Sequence, residues 1–500
     1  MAAPTKLSAA NQKMTNFRWT ICLLLFLATT VNYMDRQVLS LTWKEFISPE
    51  FHWTDSDYGT ITAVFSIVYA IANLLAGRFI DWMGTKKGYL WAIGVWSGGA
   101  CLHAACGWAT EHTLGLHTAA ELVGATGEVA LMISTVSVYF FLAARTILAL
   151  GEAGNFPAAI KVTAEYFPKR DRAYATSIFN AGSAVGALIA PFTIGPLAKF
   201  FQGIGWGNGW EMAFIVIGAL GFVWMGFWIF LYQEPAQNPH VNEAELAYIE
   251  QDNDTPDESA REKAEIEDSE TATIPFLQCF KYPQTWAVFF GKFLTDGVWW
   301  FFLFWTPAYI TDVFKLSTSS GTGMLMIFVL YLITMLSIYG GKLPTILMNR
   351  AAAKGINENP YSARMKSMFI FALFPLLALF AQPLAEVSQW MPIIIIGIAG
   401  AAHQSWSANI YSVVGDMFPK STIATIIGIG GMAGGIGSFC INKGSGILFD
   451  YAAQTQMSMF SFTGKPAGYF IVFCICGVAY LLGWCIMKLL VPRYKKIEVA

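Results

Sequence analysis

The sequence contains little charge for its length. Only 13% of its 500 residues are Asp, Glu, Lys or Arg, whereas 55% are hydrophobic and 39 are Phe. This composition excludes an ordinary soluble domain and is typical of a polytopic membrane protein. No basic stripe accompanies the formal net charge of -2, so nucleic acid is not an expected partner.

The residue patterns on which catalysis and cross-linking depend are also missing. None of the eight cysteines stands at a metal-ligand spacing with histidine, so we expect free thiols that pack as small apolar side chains. There is no Ser-His-Asp constellation, no glycine-rich phosphate loop and no nucleotide-binding domain. The sequence therefore predicts no enzyme, no cofactor and no metal site. A nutrient sensor would be expected to carry a longer soluble tail than either tail here.

Apolar stretches of about 20 residues, the length that crosses a bilayer, recur through the whole chain. We therefore predict an all-α integral membrane protein with twelve transmembrane helices. The predicted spans are residues 17–41, 57–80, 88–108, 129–157, 172–198, 211–232, 285–310, 319–345, 364–383, 390–414, 421–447 and 467–491. The predicted units are a tail (1–16), a six-helix half (17–232), an acidic linker (233–284), a second six-helix half (285–491) and a tail (492–500). The first sixteen residues are polar and show no cleavage site, so we expect the first span to be retained.

The distribution of Lys and Arg predicts the orientation. If both termini are cytoplasmic, 23 of the 31 basic residues lie in cytoplasmic segments, five lie outside and three lie within spans. This bias is the one that keeps basic loops on the cytoplasmic side. The acidic linker does not oppose this topology, because Asp and Glu contribute little to orientation.

A weak internal repeat halves the chain. An offset of 249 residues aligns residues 175–186 with residues 424–435 and matches six small or apolar positions. Both segments follow a Phe-Pro-Lys corner, at Pro168 and Pro419. The repeat predicts two pseudo-symmetric halves with a site between them near the middle of the membrane.

Four charged residues at membrane depth are candidates for function. Asp35 and Arg36 lie in the first predicted span, and Arg145 and Glu152 lie in the fourth. The latter two are seven residues apart, which places them on one helix face, about 10 Å apart along the axis. A guanidinium can receive an anion, and a carboxylate can exchange a proton. The structural alternative is a set of salt bridges that only hold helices together.

The turn after the second span has the pattern Gly-x-x-x-Asp-x-x-Gly-x-Lys-Lys. Its residues are Gly77, Asp81, Gly84, Lys86 and Lys87. Glycines let two helices approach closely, and an Asp can cap or pair with a neighbouring helix end, so we predict a conformational role for this turn. The pattern resembles the signature of the major facilitator superfamily.

Other segments narrow the resemblance. Residues 32–36 and 145–157 look like the anion:cation symporter family, and residues 402–409 and 416–420 look like its hexuronate branch. The resemblance implies a major facilitator fold and a secondary active transporter that imports a hexuronate or related sugar acid in symport with protons. The residues leave open an exporter, an exchanger or a sodium-coupled carrier of another organic carboxylate.

The resemblance also implies roles for the charged residues. Arg36 would receive the carboxylate of the substrate, while Asp35 and Glu152 would carry protons, with Arg145 as the partner of Glu152. The alternative in which Arg145 and Glu152 only lock two helices together stays open. Expected partners are a small sugar acid, protons and the lipid bilayer, and we expect a monomer in the inner membrane of a bacterium.

Further residues are candidates for gripping a sugar ring, which needs aromatic and amide groups around it. The predicted substrate contacts, besides Arg36, are Tyr33, Tyr69, Asn180, Lys292, Trp299, Trp300, Gln404 and Asn409. For the first three, a neighbouring helix is an equally good hydrogen-bond partner. Lys292 and Asp296 stand one helical turn apart and can neutralise each other.

Overall fold

The computed structural model describes residues 13–251, 274–356 and 358–497. Long helices dominate these ranges and confirm the predicted all-α membrane fold with two six-helix halves. The first half contains α1 (Arg18–Thr42), α2 (Asp55–Met83), α3 (Thr85–His103), α4 (Glu128–Glu152), α5 (Lys169–Gly203) and α6 (Trp210–Leu231). The second half contains α7 (Pro283–Phe314), α8 (Gly321–Thr334), α9 (Pro360–Leu373), α10 (Trp390–Met417), α11 (Lys420–Thr455) and α12 (Lys465–Leu490). By length and composition, 9 helical segments of the described chain could cross a membrane.

Shorter elements extend or connect these helices. The short α-helices are Ser48–Phe51, Cys106–Leu114, Ala119–Gly124, Asn155–Tyr166, Glu243–Ile249, Phe276–Cys279, Leu343–Ala352 and Ala381–Ala385. A π-helix (Trp43–Ile47) follows α1, and 3-10 helices cover Pro235–Gln237, Met335–Lys342 and Pro375–Phe380. Strands β1 (Ser458–Met459) and β2 (Phe462–Thr463) form an antiparallel hairpin between α11 and α12.

Several predicted boundaries differ from the structure. α7 begins at Pro283, inside the predicted linker, and α4 ends at Glu152, five residues before the predicted end of its span. The predicted third span reaches residue 108, but α3 ends at His103 and a separate helix, Cys106–Leu114, follows. Hydropathy alone locates helix boundaries only to within a few residues.

The repeat has a structural counterpart. α5 begins after Pro168 and α11 after Pro419, both prolines being extended at ψ 157° and 145°. The two prolines are 251 residues apart, whereas the sequence repeat has an offset of 249. Aligning the two helix starts therefore differs from the sequence alignment by two residues. Gly186 packs α5 closely against Thr30 of α1, and Gly437 packs α11 closely against Phe293 of α7. The fifth helix of each half therefore packs closely against the first helix of the same half.

One end of the molecule holds the linker and both described chain ends, and we call it the linker face. There the Nη1 of Arg18 pairs with Oε1 of Glu245 at 3.0 Å, and the amide of Ile497 donates to the carbonyl of Met417 at 2.9 Å. The opposite end, which we call the distal face, holds the loops after the odd-numbered helices.

The two halves meet at the distal face. Lys44 pairs with Asp312 at 3.2 Å, and Lys465 pairs with Asp55, so two ion pairs join the halves there. Asp450 also accepts hydrogen bonds from the amides of Asp55 and Ser56, at 2.9 and 2.7 Å, across the same boundary. These contacts hold the start of α2 against the second half.

The contacts between the halves reach the middle of the bundle. Nε2 of Gln37 donates to the hydroxyl of Tyr331 at 2.6 Å, and the hydroxyls of Ser66 and Ser438 lie 2.8 Å apart. Within the described ranges, the hydrogen bonds and ion pairs between the halves lie at this depth or nearer the distal face. Tyr411, nearer the linker face, is 40% exposed. The molecule is closed at its distal face.

Candidate functional site

A buried ion pair joins α1 and α4, two helices of the first half. Nε of Arg36 lies 2.6 Å from Oε2 of Glu152, and the two side chains are 3% and 0% exposed. The sequence suggested Arg145 as the partner of Glu152, because the two share a face of α4. In the structure Arg145 instead donates from Nη2 to the backbone carbonyl of Arg36 at 3.5 Å. The neighbouring helix, α1, supplies the cation that pairs with Glu152.

Four aromatic rings surround the Arg36 guanidinium. Its Cζ lies 4.5 Å from the ring centroid of Tyr69, 5.0 Å from Tyr33, 5.3 Å from Trp300 and 5.9 Å from Phe65. Cations over aromatic faces are stabilised by the ring quadrupole, most strongly where water is excluded. Sequence reasoning selected three of these rings and missed Phe65, which stands one turn before Tyr69 on α2. We call these four rings the aromatic box. Because Trp300 belongs to α7, the aromatic box contains residues of both halves.

Several buried polar atoms around this ion pair have no hydrogen-bond partner among the described residues. They are Nη2 of Arg36, Oε1 of Glu152, Nη1 of Arg145 and both carboxylate oxygens of Asp35. A buried polar atom without a partner is costly, and charged atoms cost the most. The cluster therefore has spare donors for a carboxylate and spare acceptors for protons.

A second ion pair lies on α7. Nζ of Lys292 lies 2.8 Å from Oδ2 of Asp296, 3.2 Å from the hydroxyl of Tyr411 and 3.4 Å from Oγ of Ser407. Sequence reasoning predicted that Lys292 and Asp296 could pair, since they are one turn apart on the same helix. It missed Tyr411, which contacts the lysine from α10.

The remaining predicted contacts are placed less centrally. Trp299 stacks on His403 with ring centroids 5.4 Å apart, and Gln404 is half-buried. Asn409 donates from Nδ2 to the carbonyl of Ser405 at 2.8 Å, which engages its amide within α10. Asn180 is exposed on α5. The structure brings Tyr33, Tyr69 and Trp300 to Arg36, and the substrate-binding roles of all the predicted contacts stay predictions.

The glycine-rich turn lies at the linker face, away from the charged cluster. Asp81 pairs with Lys161 at 2.7 Å, which links the end of α2 to the helix Asn155–Tyr166. Gly84 has φ 77°, a left-handed conformation that favours glycine, and it allows α3 to start directly after α2. Gly77 and Lys87 face open space, while the carbonyl of Lys86 accepts the indole N–H of Trp228 at 3.3 Å.

No group of three His, Cys, Asp or Glu side chains in the described ranges could hold a metal ion. The eight cysteines are free thiols. The charged cluster consists of the side chains of Asp35, Arg36, Arg145 and Glu152. Its position between two helix bundles is typical of solute sites in carriers built from repeats.

Known proteins resemble this chain over nearly its whole length. The "Hexuronate transporter" of Escherichia coli (strain K12) is 25% identical over 98% of this chain and 97% of its own. A "Probable galactarate/D-glucarate transporter" of Bacillus subtilis is 26% identical over 85% of this chain and 84% of its own. The crystal structure of a D-xylose-proton symporter superposes with a TM-score of 0.66 at 16% identity, covering 96% of this chain and 99% of that one. This last likeness shows the fold. The family model for the Major Facilitator Superfamily matches residues 25–441, so the chain belongs to that superfamily and is a transporter, not an enzyme.

Proposed function

We propose that the protein is a secondary active transporter that imports a hexuronate or related sugar acid together with protons. The observation that carries the proposal is the buried Arg36–Glu152 pair at 2.6 Å inside an aromatic box. A sugar acid presents one carboxylate and several hydroxyls. A guanidinium receives a carboxylate by two parallel hydrogen bonds, and aromatic faces pack against the ring. The name of the E. coli relative, a hexuronate transporter, agrees with this chemistry.

Glu152 occupies the place on Arg36 that a substrate carboxylate would take. While Glu152 is ionised, an incoming anion competes with it for the guanidinium. A proton on Glu152 weakens its hold on Arg36 and leaves the cation available to the substrate. Proton binding and substrate binding then favour each other, and the linkage is reciprocal.

Asp35 and Arg145 complete the coupling unit in this proposal. Asp35 lies on the same helix as Arg36. Both of its carboxylate oxygens are buried and have no partner among the described residues, so it can accept a second proton. Arg145 contacts the Arg36 backbone, and its Cζ lies 5.3 Å from the centroid of the Phe65 ring. Because these groups interact strongly, their protons leave as a set and not residue by residue.

We further propose that the linker face is cytoplasmic, that the membrane is a bacterial inner membrane and that the protein acts as a monomer. The excess of Lys and Arg on the segments of the linker face supports this orientation. The closed distal face then corresponds to an inward-facing conformation. Alternating access would require the distal contacts to break while the halves close at the linker face.

The test is uptake of labelled galacturonate into proteoliposomes, with a pH gradient and a sodium gradient imposed separately. We expect accumulation with the pH gradient alone, and strong loss in Arg36→Lys, because an ammonium lacks the two-point geometry of a guanidinium. Arg493→Ala, an exposed arginine at the linker face, is the matched control and should leave uptake unchanged. Normal uptake by correctly inserted Arg36→Ala would refute the role of Arg36. Accumulation driven only by sodium, or only by an opposing solute, would refute proton symport.

A further inference from the structure

The second ion pair differs from the first in how completely its cation is occupied. An ammonium has three donors. Lys292 has three acceptors within reach, namely Asp296, Tyr411 and Ser407, at 2.8, 3.2 and 3.4 Å. Arg36 by contrast keeps one buried nitrogen, Nη2, without a partner among the described residues. Lys292 is therefore saturated by its own protein, whereas Arg36 is not.

Asp296 is held against Lys292 from two sides. The salt bridge fixes its Oδ2, and Gly434 of α11 lies so close that a Cβ there would overlap the carboxylate. Its other oxygen, Oδ1, is buried and has no partner within the described ranges. The carboxylate can therefore accept a hydroxyl hydrogen, but it repels a second anion near Lys292.

The two ion pairs face the same central region. Lys292 and Trp300 are two turns apart on α7, a rise of about 12 Å, and differ by about 80° around the axis. Trp300 lies 5.3 Å from the Arg36 guanidinium. Tyr411, which accepts a hydrogen bond from Lys292, is 40% exposed. A sugar acid bound at Arg36 thus extends toward Lys292 and Asp296.

From this arrangement we infer that Asp296 is a specificity-determining residue that restricts the site to sugar acids with a single carboxylate. By saturating Lys292, it leaves the spare cationic donors at Arg36 and Arg145 and turns the α7 end of the site into a hydroxyl-binding end. Six-carbon acids with a carboxylate at both ends, the aldarates, would place their second charge beside Asp296. This inference rests on the proposed function and deepens it, because it separates uronates from the aldarates named for the B. subtilis relative.

The experiment measures inhibition of galacturonate uptake by unlabelled galacturonate and by galactarate in proteoliposomes at pH 7.5. For the wild-type protein we expect galactarate to inhibit at least tenfold more weakly than galacturonate. In Asp296→Asn, Lys292 loses its counter-ion and the asparagine keeps the shape, so we expect galactarate to gain at least tenfold relative to galacturonate. In Lys292→Met/Asp296→Asn that gain should vanish. Glu128→Gln, an exposed acid at the start of α4, is the matched control and should keep the wild-type ratio.

Each outcome has one interpretation. Equal inhibition of the wild-type protein by the two acids overturns the inference but leaves the proposed function intact, and this measurement needs no variant. An unchanged ratio in folded Asp296→Asn also overturns the inference. Absence of wild-type uptake of any sugar acid overturns the proposed function itself. If Asp296→Asn binds but does not transport, the same ratio is read from quenching of tryptophan fluorescence by the two acids.

Discussion

At the scale of single residues, function depends on which charges already have protein partners. Arg36 contacts Glu152 through one nitrogen and keeps another without a partner, whereas Lys292 is fully occupied. An unpaired buried charge is energetically costly. Removing one member of a buried pair therefore destabilises the protein, because the other charge stays buried without a partner. Variants that keep shape and remove charge are therefore the informative ones.

Glu152→Gln should uncouple transport from the pH gradient. The amide keeps the size of the side chain but neither ionises nor forms an ion pair with Arg36, so the proton no longer controls access to the guanidinium. We expect proton-driven accumulation of galacturonate to fall at least tenfold, while exchange of internal for external galacturonate survives. Parallel assays of accumulation and exchange in one proteoliposome preparation check this. Preserved accumulation against a gradient would contradict the role of Glu152.

Another buried acid, Glu50, lies outside the membrane-spanning helices, at the distal face. The pKa of the Glu50 carboxyl is raised to about 7. Burial is the largest cause, hydrogen bonds from Asn208 and Trp210 lower the pKa, and the nearby Glu211 and Glu111 raise it. The folded protein therefore holds this proton at pH values where the unfolded chain has lost it. The stability that it contributes is present below the ordinary Glu pKa of 4.5 and is lost as the pH rises through about 7.

Replacing Glu50 with Gln should therefore flatten the pH dependence of stability. Thermal unfolding in detergent at pH 5.5 and 8.5 measures the change. From pH 5.5 to pH 8.5, we expect the midpoint temperature of unfolding to fall further for the wild-type protein than for Glu50→Gln. Glu386→Gln, an exposed acid of the same face, should behave like the wild-type protein. Equal pH dependence in all three proteins would show that Glu50 does not titrate in this range.

At the scale of helices, the two halves are organised by close glycine contacts on α5 and α11. Small residues let transmembrane helices approach closely, which is how they associate without a hydrophobic driving force. Gly437 leaves space for the carbonyl oxygen of Phe293, and a Cβ at this position would overlap that oxygen. Gly444, two turns further along α11, faces open space. Replacing each of these two glycines with alanine separates the effect of packing on stability from the effect of helix propensity.

We predict opposite effects of alanine at the two positions. Gly437→Ala should lower the free energy of unfolding by about 1–3 kcal/mol, because α7 must move away. Gly444→Ala should be neutral or stabilising by up to about 1 kcal/mol, because alanine is the better helix former. Thermal unfolding of the two variants in detergent is the measurement. A loss of equal size at both positions would mean that backbone flexibility, and not packing, decides the stability of α11.

The helices were predictable from the sequence to a greater degree than the contacts between them. Twelve spans follow from apolar length, and Arg36 and Glu152 stand out because charge is rare at membrane depth. In the structure Glu152 pairs with Arg36 and not with Arg145, since spacing along α4 says nothing about which neighbouring helix approaches it. Phe65 was missed because an aromatic residue of the box and a lipid-facing one look alike in sequence. The bond between Gln37 and Tyr331 joins residues 294 positions apart, and no local pattern marks it.

At the scale of the whole molecule, the distal face acts as a closure made of charges. Lys44 and Asp55 belong to the first half, and Asp312 and Lys465 belong to the second. Each lysine contacts both aspartates, so the four side chains form a neutral ring across the boundary. Partly exposed ion pairs contribute little individually, but a network bridging two rigid bodies biases their relative position.

Asp312→Asn/Lys465→Met should open the distal face more often. The double variant conserves net charge and leaves the Lys44–Asp55 pair intact, but it removes both ion pairs between the halves. Loss of about 1 kcal/mol of bias corresponds to about a fivefold shift in population.

The readout is labelling of Ser438→Cys by a membrane-impermeant maleimide added at the distal face. The background protein carries Ser in place of the exposed Cys440 and Cys485. Ser438 is fully buried in the closed form, so labelling reports opening. We expect about fivefold faster labelling in the double variant and no change in Lys354→Met, an exposed control at the linker face. Equal rates would show that packing, and not this ring, keeps the face closed.

The charges at mid-membrane cancel, and this balance has an electrical consequence. Arg36, Arg145 and Lys292 carry three positive charges, and Asp35, Glu152 and Asp296 carry three negative ones. When the halves rock around the site, the protein therefore carries no net fixed charge of its own through the field, where each charge is worth about 2.3 kcal/mol per 100 mV. In the proposed symport only the cargo would respond to voltage: one monoanion with one proton would move without current, and each additional proton would convert the membrane potential into a driving force for uptake.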